Sequence, residues 1–192
     1  MAFLKGSRLP PEAKMVFKGK IFEVWQWEQK LYDGTTATFE RIKRPDTAQV
    51  ITVVGDTILI LKEEQPDYPE PFFSLPGGRC DEGEDPLLAA QRELLEETGY
   101  VSEDWELFDE RNPHRKNVWT MYTYIARNST PTKKPHLEAG EKNELHFLSF
   151  DEFLALSDDP GFRATGLIEL MLRMRLDPEK KDQFKKLLFG HA

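Results

Sequence analysis

The chain has 192 residues, 39% of them apolar, enough for one domain with a substantial core. Its net charge of −8 argues against nonspecific nucleic-acid binding, so no nucleic-acid partner is expected. The single cysteine, Cys80, excludes an intramolecular disulfide, and the opening MAFLKGSRLPPEAK has no apolar run of membrane-spanning length; the expected setting is cytoplasmic, with no membrane partner.

Residues 14–32 read as strands, with Phe22 to Trp27 partly alternating, and Asp33-Gly34 signals a hairpin returning through Thr35 to Lys43. Gln49 to Val54 and Thr57 to Leu61 are β-branched or apolar runs separated by a second hairpin signal, Gly55-Asp56. A proline-rich loop, Pro66 to Pro71, leads to a short strand, Phe72 to Leu75, and Pro76-Gly77-Gly78 turns the chain toward a helix. Asp85 suits the helix N-cap, Pro86 the first helical position, and Gly99 the left-handed exit. Beyond it, Trp105 to Arg111 and Val118 to Ala126 are expected to pair around a turn at 112–117. Residues 128–143 read as a polar surface loop, Glu144 to Phe150 as a strand, and Asp151 to Leu156 as the start of a short helix. Two amphipathic helices follow, roughly 164–176 and 178–189, separated at Pro178. The order implies an α/β (α+β) architecture, a mixed sheet with helices on its faces.

At about 100° per residue, Glu93, Glu96 and Glu97 share one face of the helix after Asp85. Leu87, Leu88, Leu94 and Leu95 are expected on the opposite face, against the core. Ala89 and Ala90 lie beside the acidic face, where small side chains would leave room for a ligand. Three crowded carboxylates repel one another unless a cation sits among them, and hard oxygen donors suit Mg²⁺, with Mn²⁺ as a substitute. The plain alternative for an isolated E-x-x-E-E is a solvated acidic face. The preceding glycine loop, Glu84 and Arg92 reverse that balance. Arg92 is a fork-shaped donor able to orient Glu93, Glu96 or Glu84. Cys80 lies in the loop with no evident base to activate it.

Gly78, Glu84, Arg92, Glu93, Leu94, Glu96, Glu97, Gly99 and Tyr100 complete the pattern G-x5-E-x7-R-E-U-x-E-E-x-G-U, with U bulky and apolar. On these residues the chain resembles the Nudix hydrolases, which use divalent metal to cut a diphosphate linked to another group. The resemblance implies the family's α/β/α sandwich, and a metal held by Glu93, Glu96 and Glu97 with the carbonyl of Gly77 as a further ligand. Over roughly residues 15–175 the layout resembles ADP-ribose pyrophosphatases and nucleoside-diphosphate-sugar hydrolases. That implies an N-terminal antiparallel β meander over residues 1–45, for dimerisation and substrate binding, and a hydrolase domain over 46–192. The chain departs from that subgroup at Pro66-Asp67 after Gln65, at Ser74 where a glutamate often stands, and at Pro113, too early for ADP-ribose-specific members. The spacing of Pro113 favours a wider nucleotide-sugar class.

Trp25 and Trp27 point to one face of their strand, which suits packing as well as stacking on a base. The resemblance implies the stacking role, with the meander completing a partner's site in a homodimer. Arg41 and Arg44 are candidate phosphate or ribose contacts, or plain surface charge. The resembling pyrophosphatases commonly take a general base from a mobile loop; Glu141 and Glu144 are the candidates here, ahead of Glu138. His114, His136, His146 and His191 lack clustered partners and read as structural or exposed. The leading reading is a metal-dependent hydrolase that releases a nucleoside monophosphate and a sugar phosphate. A nucleoside triphosphate pyrophosphohydrolase is the alternative within the family. A noncatalytic regulator that binds a nucleotide sugar is the alternative from another class, and the intact acidic motif argues against it.

Overall fold

The computed structural model describes residues 9–114, 116–137 and 142–190. β1 (Lys14–Lys18), β2 (Glu23–Lys30) and β3 (Thr36–Lys43) form the expected antiparallel meander. Its second turn forms because Asp33 Oδ1 accepts the Thr35 N–H at 2.9 Å, which sets Lys30 opposite Thr36. β4 (Thr47–Val54) and β5 (Thr57–Glu64) pair around Gly55-Asp56, and β6 (Phe72–Ser74) adds to β5. Pro76 to Gly78 does more than turn: Gly77–Arg79 is a short strand, β7, paired with the start of β4.

The chain continues through α1 (Pro86–Thr98), β8 (Tyr100–Val101), β9 (Asp104–Arg111), β10 (Asn117–Val118), β11 (Met121–Arg127), β12 (Thr130–Pro131) and β13 (Lys142–Leu148). The expected strand 118–126 is therefore divided. β10 runs parallel to β3 and joins the meander sheet, whereas β11 enters the central sheet. The loop expected at 128–143 also starts in regular structure, since β12 pairs with β8. α2 (Phe150–Ala155), capped by a reciprocal Ser149–Glu152 box, precedes α3 (Thr165–Leu176) and α4 (Pro178–Phe189).

The central sheet has the order β13-β5-β4-β11-β9. β4 and β11 are parallel and the other neighbours antiparallel, the mixed sheet expected. Alternation along β4 and β5 sends Ile51, Val53, Ile58 and Ile60 to one face, where Phe153, Leu167, Met171 and Leu188 cover them. Ala48, Val50, Tyr124 and Ala126 line the other face and meet Ala89, Ala90 and Leu94 of α1. The result is an α/β/α sandwich. Leu94 is wholly buried, and its truncation to alanine would cost about 2–5 kcal/mol.

Two details of α1 differ from expectation. Ala89 and Ala90 are wholly buried; their small side chains admit the sheet rather than a ligand. Leu88 is exposed and Leu95 only half-buried, because α1 meets the sheet along the narrower line of Ala90, Leu94 and Glu97.

On the meander, Trp27 is buried with its ring 6.1 Å from that of Phe39. Arg41 lies 5.4 Å from the Trp27 ring, and Lys43 Nζ 5.8 Å from that of Trp25. Both indole N–H groups are satisfied locally, Trp25 donating to Glu23 at 2.9 Å and Trp27 to Gln29 at 3.1 Å. Among the described residues no helix is long and apolar enough to cross a membrane.

Candidate active site

The ends of α1 are set by the residues that marked them in the sequence. Asp85 Oδ1 accepts the Leu87 N–H at 2.9 Å, Pro86 opens the first turn, and Gly99 exits with φ 75°. The space where a Gly99 side chain would begin is filled by the backbone carbonyl of Lys133. The segment after β12 therefore lies directly on the helix end. Thr132 N–H donates to the Gly99 carbonyl at 2.9 Å, and His136 N–H to the Glu96 carbonyl at 2.7 Å.

α1 and β7 interlock through two pairs. The Gly77 N–H donates to Glu97 Oε2 at 2.8 Å, and the Glu97 side chain is buried. One residue on, the Glu93 carboxylate fills the space that a side chain at Gly78 would need. Glu93, Glu96 and Glu97 thus line one open cleft of about 370 Å³, together with Gly77, Arg79 and His136.

Arg92 organises the carboxylates. Nε and Nη2 donate to the two oxygens of Glu84, each at 3.0 Å. Nη1 donates to Glu93 Oε1 at 2.8 Å and to Glu96 Oε2 at 3.2 Å, and Nη2 also reaches the Arg79 carbonyl at 3.1 Å. Only a planar five-donor group can serve all of these acceptors. Its bonds to Glu84, and then to Glu93, hold the guanidinium far above its ordinary pKa. Conversely, Arg92 and then the Asp81 N–H hold the Glu84 carboxyl below the usual range. Among the described residues, no three carboxylate, imidazole or thiol groups already surround a single point. Glu93 and Glu96 lean on Arg92, and Glu97 on the Gly77 N–H. Cys80 is buried beside the cleft, and burial, followed by Asp46 and Glu84, raises its thiol to about 11.

A second cleft, about 550 Å³, lies between the meander and the loop before α1, and shares Pro45, Cys80, Asp81 and Glu82 with the first. Arg44 lines it, stacked 4.5 Å from the ring of Trp119, with Nε buried and unpartnered. Desolvation, and then the nearby charge of Arg79, lowers the Arg44 pKa. Trp25, Trp27 and Arg41 are not among the described residues that line either cleft.

Of the two proposed bases, Glu141 lies outside the described residues. Glu144 does not stand at a loop mouth, because β13 already begins at Lys142. It is paired with Lys62, beside His146, which is paired with Ile60. Alternation turns both to the face covered by α2 to α4, away from α1, and His146 Nε2 sits 3.5 Å from Glu144 Oε1. His136, read from the sequence as having no clustered partner, is instead brought to the carboxylate cleft. Neither it nor Trp119 carries a local sequence signal, since each arrives from a distant segment.

Comparison with known proteins agrees with this geometry. The family model described as NUDIX domain matches residues 43–166. The chain is 28% identical over 150 residues to a methanol dehydrogenase activator of Bacillus methanolicus, covering 74% of this chain and 79% of that protein. It is 29% identical over 90 residues to an ADP-ribose pyrophosphatase of Bacillus subtilis (strain 168), covering 46% of this chain and about half (49%) of that relative. In fold it resembles the crystal structure of an ADP compounds hydrolase, with a TM-score of 0.70 and 19% identity over 93% of this chain and 98% of that one. With the family match spanning more than half of its length, and Glu84, Glu93 and Glu96 of the motif gathered around Arg92 with Glu97 beside them, the chain belongs to the Nudix hydrolases.

Proposed function

We propose that the protein is a divalent-metal-dependent pyrophosphatase that splits ADP-ribose or a related nucleoside-diphosphate sugar into a nucleoside monophosphate and a sugar phosphate. The observation that carries this reading is the cleft in which Arg92 gathers Glu84, Glu93 and Glu96 beside Glu97 and β7. The name of the Bacillus subtilis relative supports the substrate class.

The donor set fits a hard cation: three anionic carboxylates, Glu93, Glu96 and Glu97, line one cleft, and the Gly77 carbonyl is proposed as a further oxygen ligand. Mg²⁺ is the proposed ion, with Mn²⁺ as a substitute; when bound it would supply the positive charge that offsets phosphate oxygens in the transition state. The chain's own part is positioning. Arg92 fixes Glu93 and Glu96 and has its fork committed to carboxylates, so it orients ligands rather than holding substrate. The Gly77 N–H fixes Glu97 in the same way. Arg44 lines the adjoining cleft, and its guanidinium is proposed to meet the far side of the diphosphate or ribose. For the general base the proposal narrows to Glu141, because Glu144 faces away from α1. The meander, with Trp25, Trp27 and Arg41, is proposed to act through a homodimer in the cytoplasm.

The test is product analysis over ADP-ribose, other nucleoside-diphosphate sugars, nucleoside triphosphates and dinucleotides, with Mg²⁺ and with a chelator. Nucleoside monophosphate and sugar phosphate are expected, in metal only. Turnover surviving exhaustive chelation would overturn the metal assignment, and preferred cleavage of triphosphates would overturn the substrate class. Binding of nucleotide sugar without turnover would favour a regulator.

A further inference from the structure

We infer that His136 is a substrate-contacting residue, which donates an imidazole N–H to a phosphate oxygen of the bound diphosphate; this rests on the pyrophosphatase reading above. The first support is how firmly its backbone is placed. The last carbonyls of a helix have no partner within the helix. The Glu96 carbonyl would ordinarily accept from Tyr100, but the Tyr100 N–H instead donates to Thr98 Oγ1 at 3.0 Å. His136 N–H takes that place at 2.7 Å, while Thr132 and Lys133 N–H groups occupy the Gly99 carbonyl. Capping of the helix thus fixes the position of residue 136 on the very turn that carries Glu96 and Glu97.

The second support is the balance of charge and donors in the cleft. Asp81, Glu82, Glu93, Glu96 and Glu97 all line it. A diphosphate entering here meets carboxylates, and the positive group nearest them, Arg92, already donates to Glu84, Glu93 and Glu96. Among the described lining residues, the side-chain nitrogen donors not bonded to these carboxylates belong to Arg79 and His136. They come from different elements, β7 and the segment after β12, so a phosphate between them meets donors from two supports. A neutral imidazole already carries one N–H, so the contact needs no change of protonation.

The experiment compares His136→Ala and His136→Asn with Glu96→Gln in the full chain. Three quantities are read: kcat/KM for whichever nucleoside-diphosphate sugar the wild type cleaves best, ADP-ribose included, affinity for its nonhydrolysable methylene analogue, and Mn²⁺ affinity without nucleotide. His136→Ala should lower kcat/KM about ten- to a hundredfold, the scale of a lost hydrogen bond to a charged group, and weaken analogue binding in parallel. His136→Asn, which keeps an N–H donor, should recover part of both. Mn²⁺ affinity and Tm should stay at wild-type values, since the backbone bond to Glu96 survives either change. Wild-type kcat/KM and analogue affinity in His136→Ala, beside an inactive Glu96→Gln, would overturn the inference while leaving the pyrophosphatase reading intact. A fall in Mn²⁺ affinity matching the loss of activity would also overturn it, by making His136 a metal ligand. If the wild-type chain neither hydrolyses any nucleoside-diphosphate sugar nor binds a methylene analogue of one, the functional reading fails and this inference with it.

Discussion

Gly78 and Glu93 compete for one space: a side chain at position 78 would begin where the Glu93 carboxylate lies. The obstructed group is the flexible end of a side chain, so the backbone can keep its course while the carboxylate is displaced. Gly78→Ala should therefore leave Tm nearly unchanged but reduce kcat about a hundredfold, the scale of a small misplacement of a reacting group. Gly99→Ala should do the reverse in order of severity, lowering Tm first. Its φ is 75° and the obstruction is the Lys133 backbone, which cannot simply rotate away. Thermal melts and metal-dependent turnover of both variants check the pair; wild-type kcat in Gly78→Ala would show that the place of Glu93 is unimportant.

Glu96→Gln and Glu97→Gln should each reduce kcat by at least about a hundredfold, as when a key electrostatic group is lost. They should differ in stability. Glu96 is partly exposed, whereas Glu97 is buried and holds the Gly77 N–H. Glu97→Ala, which removes that acceptor, should lower Tm clearly more than Glu96→Ala. Equal melting temperatures would mean that the bond between α1 and β7 contributes nothing.

The Arg92–Glu84 pair should leave a signature in acid. The Glu84 carboxyl is held below its ordinary value of 4.5, chiefly by Arg92. For a depressed acid, the stabilisation is complete above the unfolded value and is lost as pH falls through the folded one. Wild type should therefore melt above Glu84→Gln at pH 7, and the gap should narrow as pH drops below 4.5. A gap constant down to pH 3 would remove the ion pair as its cause.

Cys80 should be a poor nucleophile despite bordering both clefts. With its thiol at about 11, only about one molecule in a thousand carries thiolate at pH 8. Iodoacetamide should label it far more slowly than a free thiol, faster with rising pH and faster still in denaturant. Rapid labelling of the native chain at pH 7 would contradict both its burial and its raised pKa.

The meander should bring two copies together. Met15, Val16, Phe17, Phe22 and Ile42 are all exposed on it, more apolar surface than a small sheet ordinarily leaves in water. Sedimentation at micromolar concentration should show a dimer, and Phe17→Glu should shift it toward monomer. A wild-type chain that sediments only as monomer would remove the proposed role of Trp25 and Trp27 in a partner's site.

The sequence by itself determined the limits of α1 and much of its chemistry. Asp85, Pro86 and Gly99 act on the turn in which they sit, and Arg92 reaches its neighbour Glu93 and, one turn of the 3.6-residue repeat further on, Glu96. The hairpin residues Asp33-Gly34 and Gly55-Asp56 paired β2 with β3 and β4 with β5 for the same local reason. Tertiary structure alone decided which distant groups meet those carboxylates. The Gly77 bond to Glu97, the close fit of Gly78 on Glu93, the Trp119 ring beside Arg44 and the arrival of His136 at Glu96 all depend on how strands are ordered and where loops close. Glu144 shows the physical reason most plainly. In a strand of period two, pairing with Lys62 rather than Glu63 turns a carboxylate to the opposite face of the sheet, and that register belongs to the assembled sheet rather than to any local stretch of chain.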